Sequence, residues 1–162
     1  MKYTSIWTIR HWRDGKVIWE DEKANSLVQE GEESILETYF RGDATYIPTE
    51  FYVRLCNDDL VTTTTLSTVS GEPADTYGYE PQLIERSTVG FQTKELNEGV
   101  YRIISKLISF TASGGSIGPV RTAYLATTLD NTGKLLAFRS LTLSRTILDG
   151  DTMTLQFRIQ LS

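Results

Sequence analysis

The sequence predicts a mainly β fold, an antiparallel β-sandwich of jelly-roll-like character with one helix in its N-terminal half and a long extended loop. The stretch DTMTLQFRIQLS alternates apolar and polar residues, as a strand with one buried face does. Further alternating segments follow Gly99 at short intervals set by turn residues, a spacing typical of sandwiches and barrels. Only one segment, about 26–40, has the period of an amphipathic helix.

Length and composition favour one globular domain over residues 1–162. The chain is 40% hydrophobic and 23% charged, which suits a sizeable core. Its net charge is −5 and its lysines and arginines are scattered, so we expect no nucleic-acid partner. No segment approaches the roughly twenty apolar residues of a membrane span. The polar N-terminus predicts no signal peptide, so we expect folding in a cytoplasm.

The first element is predicted to be a hairpin over about residues 3–20. Asp14-Gly15 favours a two-residue turn, since both central positions of such a turn need positive φ. That register would place Trp12 opposite Val17 and Arg10 opposite Trp19 on one face. His11 and Ile18 would meet on the other. Both faces carry apolar groups, so either of them could face the core.

The helix follows at about 26–40. Ser26 and Gln29 fit a capping box, in which each side chain satisfies a free backbone amide. The buried face is expected to carry four apolar residues at helical spacing: Ile35, Leu36, Tyr39 and Phe40. Gly42 should end the helix in a left-handed conformation, so we give the RGD tripeptide at 41–43 no function.

A short strand is predicted at 51–58, and residues 59–90 are then rich in turn-forming residues. This stretch exceeds the usual connection length, which indicates a functional loop or a segment ordered by a partner. We expect it to reach outward as an extended arm. Regular strands are predicted again at 100–113, 119–129 and 134–143, and the stretch at 151–162 closes the fold.

Reactive groups are scarce. His11 lies within a strand without a nucleophile motif nearby, and Cys56, the only cysteine, lies in an apolar strand, so we interpret both as structural. The acidic stretches CNDDL, SGEPAD and LDGD lack the ligand spacing of a calcium loop. The stretch SGGSIG precedes a strand, whereas a phosphate-binding loop precedes a helix. We therefore expect no metal, no cofactor and no catalysis.

Several residues are candidates for contact with a partner. Tyr77 and Tyr79 lie in the turn-rich stretch DTYGYEP, where side chains usually point outward. The threonine-rich stretch LVTTTTLSTV has strong β propensity and could add to a neighbouring sheet edge. The partner-interface prediction covers Val61, Leu66, Val69, Tyr77 and Tyr79, together with Trp12 and Trp19 of the hairpin. Exposed aromatic rings could also stack on sugars.

Six stretches follow one another in a characteristic order over residues 20–162: NSLVQEGEESILETYF, TEFYVRLCNDDL, DTYGYEPQLIERSTVGF, IGPVRTAYLATT, GKLLAFRSL and TILDGDTMTLQFRIQLS. This order resembles that of small structural proteins of tailed bacteriophage virions, of the decoration, cement or tail type. It implies a β-sandwich subunit present in many copies on a virion.

The resemblance does not decide between head and tail; we favour a non-enzymatic capsid decoration or cement protein that stabilises the head. Its partners would be the major capsid protein or other virion subunits, with no membrane partner, and it would form a trimer or dimer. The alternative is a tail or baseplate component, including a receptor- or glycan-binding module. A third hypothesis, a hydrolase using Asp58, Asp59 or Glu85, is disfavoured because nothing in the sequence ties these acids together.

Overall fold

The computed structural model describes residues 3–25 and 27–161. These residues form ten strands, arranged in two antiparallel sheets, and one α-helix. Sheet A has the order β2-β1-β10-β6-β5, with β7 also paired to β10, and sheet B has the order β4-β3-β8-β9. The strands are β1 Tyr3–Arg13, β2 Lys16–Asn25, β3 Glu50–Cys56, β4 Gln82–Glu85, β5 Thr93–Asn97, β6 Val100–Ile104, β7 Ile108–Thr111, β8 Ile117–Ala126, β9 Leu135–Ile147 and β10 Thr152–Leu161. The predicted mainly β, antiparallel fold with one helix in the N-terminal half is confirmed.

The core lies between the two sheets, and β10 supplies much of it. Met153, Leu155 and Phe157 are fully buried, as the alternation of the sequence predicts. β10 pairs with β1 along ten residues, and the indole of Trp7 stacks on the ring of Phe157 with their centroids 5.2 Å apart. Buried residues of β3 and β8, among them Leu55 and Ala123, complete the same cluster from sheet B.

The hairpin of β1 and β2 has the predicted turn but a different register beyond it. Trp12 pairs with Val17 as predicted. Arg10 pairs with Glu20 and His11 with Trp19, so the predicted pairs of Arg10 with Trp19 and His11 with Ile18 are wrong. A β-bulge between His11 and Trp12 causes the shift, because it gives β2 one extra residue. His11 is thereby buried, and Trp19 packs on the core.

The helix α1 spans Gln29–Leu36 and continues as a π-helical turn, Glu37–Arg41, before Gly42 ends it with φ of 66°. Of the predicted capping box, Ser26 lies outside the described residues, and the N-cap is Val28 without a side-chain hydrogen bond. The predicted buried face is wrong for Leu36, Tyr39 and Phe40, which are exposed, while Ile35 packs partly against the core.

Small residues explain the orientation of α1. The helix buries Gly31 and Ser34. A Cβ atom on Gly31 would lie 2.2 Å from the backbone oxygen of Leu136 in β9, so only glycine permits this approach. The helix therefore contacts β9 through Gly31, and its large apolar residues point outward.

Residues 59–90 lie partly against the sandwich. A 3₁₀ turn at Leu66–Thr68 places Leu66 and Val69 in a second buried cluster with Cys56 and Tyr124. The Glu30 carboxylate of α1 accepts hydrogen bonds from the backbone amides of Leu66 and Leu135, at 2.8 and 2.7 Å. One carboxylate thus joins the helix, this segment and β9. Cys56 is a core residue, as predicted, and burial raises the pKa of its thiol.

Candidate assembly surface

The sheets differ in width, and this leaves part of the inner face of sheet A uncovered. β9 lies near β2 at one side of the sandwich, and the short strand β4 is the last strand of sheet B at the other. The Ile103 side chain lies on the same face as that of Ile159, its partner on β10, which packs on the core. Tyr101 and Leu96 pair with each other on that face, yet they are 64% and 58% exposed. A core-type face therefore meets solvent.

A groove of about 760 Å³ lies beside this face. Its aromatic floor continues the core, since the rings of Phe51 and Phe91 meet edge to face at 5.7 Å and Phe91 meets Phe157 at 5.9 Å. We call this feature the groove; it is lined by Phe51, Arg86, Ser87, Thr88, Phe91, Lys94, Tyr101, Arg102, Ile103, Ile159 and Gln160. Its size falls within the usual range of ligand sites, and its apolar lining suits another protein surface.

The border of the groove is positively charged although the chain carries a net charge of −5. Arg86 donates a hydrogen bond to the carbonyl oxygen of Pro48 at 3.2 Å. Neither Arg86 nor Lys94 has a carboxylate partner among residues 3–25 and 27–161. Arg102 alternates to the other face of β6 from Tyr101 and Ile103, and its guanidinium lies 3.5 Å from the carboxylate of Glu95, so it adds no free charge to the groove. The groove therefore favours a partner that is apolar and acidic.

A second exposed apolar surface lies at the end of α1. Tyr39 and Phe40 are 81% and 65% exposed, and their rings contact each other edge to face at 5.1 Å. Leu36, one turn earlier, is also exposed. We call Leu36, Tyr39 and Phe40 the aromatic patch. Exposed Glu32 and Glu33 lie on the preceding turn, so acidic groups border the patch.

The predicted interface residues do not form one surface. Val61 and Tyr77 are exposed, whereas Leu66, Val69 and Tyr79 are buried. The expectation that Tyr79 points outward is wrong, because its ring stacks on Phe110 at 5.7 Å. Its hydroxyl donates to Glu72 at 2.6 Å and accepts from the Leu55 amide at 3.1 Å. A partner contact by these residues stays a prediction.

The two hairpin tryptophans lie on opposite faces of sheet A. Trp12 is half-buried, and its indole nitrogen donates to the Thr154 hydroxyl at 2.9 Å. Trp19 packs on the core, with the Arg145 guanidinium 5.4 Å from its ring centroid. The two tryptophans therefore lie in different environments, and a single partner surface would not contact both.

The acidic residues considered for hydrolysis each have separate structural surroundings. Asp59 forms an ion pair with Arg121 at 2.7 Å, and Glu85 forms one with Lys106 at 2.8 Å that lowers the pKa of Glu85. The Asp58 amide contacts the Cys56 sulfur. Within the described residues, no group of three or more His, Cys, Asp or Glu side chains is arranged to hold a metal ion.

His11 belongs to a buried network. Its Nε2 donates to the Asp151 carboxylate at 2.8 Å, and its Nδ1 accepts from Arg145 Nε at 3.2 Å. This arrangement needs a neutral ring, and desolvation lowers the pKa of His11 despite the Asp151 carboxylate. Arg13 binds the same carboxylate from the surface through two nitrogens. All the hydrogen-bonding capacity of the ring is thus occupied by neighbouring side chains.

Sequence reasoning missed the groove. Its residues lie in the stretch between Phe51 and Gln160, and β5, at its border, has the polar sequence TKELN. The available signal was the pair of alternating apolar residues Tyr101 and Ile103 in a short strand. Their exposure depends on the width of the opposite sheet, which the local sequence does not encode.

Comparison with known proteins identifies a family for this chain. The family model of the podophage GP4 fiber I protein gp80 matches residues 26–160. No curated protein matches the chain. Among the described residues, no helix is long and apolar enough to cross a membrane. The match covers most of the sequence and every strand from β3 to β9, so the chain belongs to the gp80 fiber I protein family, a family of bacteriophage virion structural proteins.

Proposed function

We propose that this chain is a non-enzymatic structural subunit of a virion fibre and that it joins neighbouring subunits through the groove. One observation indicates where this contact lies, namely the uncovered inner face of β5 and β6. Large exposed apolar surfaces on soluble proteins usually mark interaction sites. Here the exposed residues continue a folded core, so burying them against a neighbour would complete the sandwich.

The family supports the fibre over the head as the location. A fibre subunit corresponds to the tail alternative and not to the capsid decoration or cement protein that was favoured from the sequence. A head location, with the major capsid protein as partner, remains a separate prediction. Immunogold labelling of intact particles distinguishes the two, because a fibre subunit gives gold at the tail and a decoration protein gives gold over the head.

Groove variants test the surface itself. In phage particles grown with a supplied variant chain, Tyr101→Ser with Ile103→Ser should fold but fail to enter particles. Leu143→Ser provides the matched control, because Leu143 is exposed on β9 outside the groove. Quantitative immunoblots of purified particles measure incorporation. Normal incorporation of the groove variant would exclude the groove as the contact surface.

The receptor-binding alternative has one favourable observation. Tyr77 is 51% exposed, and its ring lies directly over Gly115, which leaves a flat aromatic face at the surface. Aromatic faces of this kind bind sugars. If this site binds glycans, an array should give signals that Tyr77→Ser abolishes while Tyr39→Ser retains them; an array without signals excludes the site.

A further inference from the structure

We propose that the groove of one copy binds the aromatic patch of a second copy of this chain. This inference rests on the proposed function and names the partner of the same surface. Both surfaces belong to one sequence, so each copy offers a groove and an aromatic patch to its neighbours.

Chemical similarity is the first argument. The groove has an aromatic floor at Phe51 and Phe91, and the patch presents two rings in edge-to-face contact. Aromatic pairs favour such edge-to-face arrangements, so two further rings can extend the existing cluster. A volume of about 760 Å³ accommodates side chains of this size.

The charges next to the two surfaces are complementary. The groove is bordered by Arg86 and Lys94, neither of which faces a carboxylate among the described residues. Exposed Glu32 and Glu33 lie one helical turn before Leu36 of the patch. Opposite charges around an apolar contact orient the partners and disfavour other pairings. Two copies with net charge −5 would otherwise repel each other.

The patch does not fill the groove of its own chain. Tyr39 and Phe40 remain mostly exposed, and the groove is open. The contact is therefore between copies and joins two different surfaces. Contacts of this kind close into rings or dimers when the rotation permits, and otherwise they extend into filaments.

Complementation between variants tests the inference on the purified full chain. The patch variant is Tyr39→Ser with Phe40→Ser, and the groove variant is Tyr101→Ser with Ile103→Ser. Sedimentation velocity over a concentration series should show self-association of the unmodified chain. Each double variant should weaken it by about 100-fold, because buried aromatic anchors carry most of the affinity of an interface. Leu143→Ser should associate like the unmodified chain.

Mixing the two double variants provides the decisive measurement. Each retains the surface that the other lacks, so a 1:1 mixture should form a complex that neither forms alone. A charge exchange gives an independent version: Lys94→Glu should weaken association, and adding Glu32→Lys should restore it. Circular dichroism and thermal melting of every variant ensure that lost association does not reflect unfolding.

Two results would overturn the inference. One is a monomeric unmodified chain at all concentrations, and the other is a mixture of variants that stays monomeric. The proposed function would fail differently, since it predicts exclusion of the groove variant from particles. If that variant is excluded while the patch variant enters particles normally, the groove still binds a virion protein, but that protein is not a second copy of this chain.

Discussion

Arg139 on β9 donates a hydrogen bond of 2.7 Å to the carboxylate of Asp21 on β2, and both side chains are buried between the edges of the two sheets. The backbone amide of Thr142 donates to the same carboxylate at 3.0 Å. Desolvation by itself raises the pKa of Asp21, but the hydrogen bonds from Thr142 and Arg139 outweigh it, so the pKa lies below its ordinary value. The pair fixes the relative position of two edge strands.

Asp21→Asn should therefore destabilise the fold by about 3–5 kcal/mol, because it leaves the Arg139 charge buried without a counter-ion. Urea denaturation measures the change in the free energy of unfolding. Glu20→Gln is the matched control on the same strand, since Glu20 forms an exposed ion pair with Arg10, and pairs of that kind contribute little. Equal losses in both variants would contradict a structural role for the buried pair.

Acidification should destabilise the protein in two steps. Desolvation lowers the pKa of His11, so the unfolded chain binds its proton more readily, and stability should fall as the pH drops below about 6.5. Hydrogen bonds, first from Arg13 and then from His11, lower the pKa of Asp151 to about 2. The stability that Asp151 contributes is present above about pH 4 and is lost as the pH falls towards 2.

The sequence contains one histidine, so its ring signals in an NMR titration belong to His11 alone. They should show a midpoint below 6.5 in the folded protein. His11→Gln should remove the first loss of stability and retain the second, as measured by urea denaturation at a series of pH values. A histidine midpoint above 6.5 would contradict the neutral ring described here.

Gly31→Ala should destabilise the protein by about 1–3 kcal/mol although alanine favours helices. The added Cβ would lie 2.2 Å from the Leu136 oxygen and would force α1 away from β9. Thermal melting detects the loss, and Glu33→Ala on the exposed side of the same helix should change stability by less than about 0.5 kcal/mol. A Gly31→Ala variant that is more stable than the unmodified chain would show that helix propensity decides at this position.

Tyr79→Phe should cost about 1–3 kcal/mol, because it leaves the Leu55 amide and the Glu72 carboxylate without their shared hydroxyl partner. Tyr77→Phe, two residues earlier, should have little effect, since the Tyr77 side chain is exposed to solvent. Chemical denaturation of both variants compares the two tyrosines directly. Similar stabilities would mean that the buried hydroxyl is dispensable.

The sequence predicts burial well for a strand that has one buried face. The alternation of Met153, Leu155 and Phe157 indicated their burial, and Asp14-Gly15 indicated the first turn. Prediction failed where a bulge or a single glycine decided the geometry. The bulge next to Trp12 shifted the hairpin register. The close approach of Gly31 to β9 turned Leu36, Tyr39 and Phe40, which were expected in the core, outward.

Burial within loops was also difficult to predict. Turn-rich composition placed Tyr79 outside, but a hydroxyl partner and a stacked ring hold it inside. The groove could not be predicted from any one segment, because it results from the difference in width between two sheets assembled from distant strands. The resemblance to virion proteins indicated the broad class of protein, and the family match favours the fibre over the head.

The position of β10 has a consequence for synthesis. This strand lies between β1 and β6 in sheet A, although β1 is made first and β10 is made last among the described elements. Until residues 152–161 leave the ribosome, no strand lies between β1 and β6. The hairpin of β1 and β2 then lacks β10, the strand that pairs with β1 in the folded sheet. Such long-range pairing slows folding. Sheet A should therefore form only after residues 152–161 have been synthesised, and nascent chains are expected to need protection from aggregation until then.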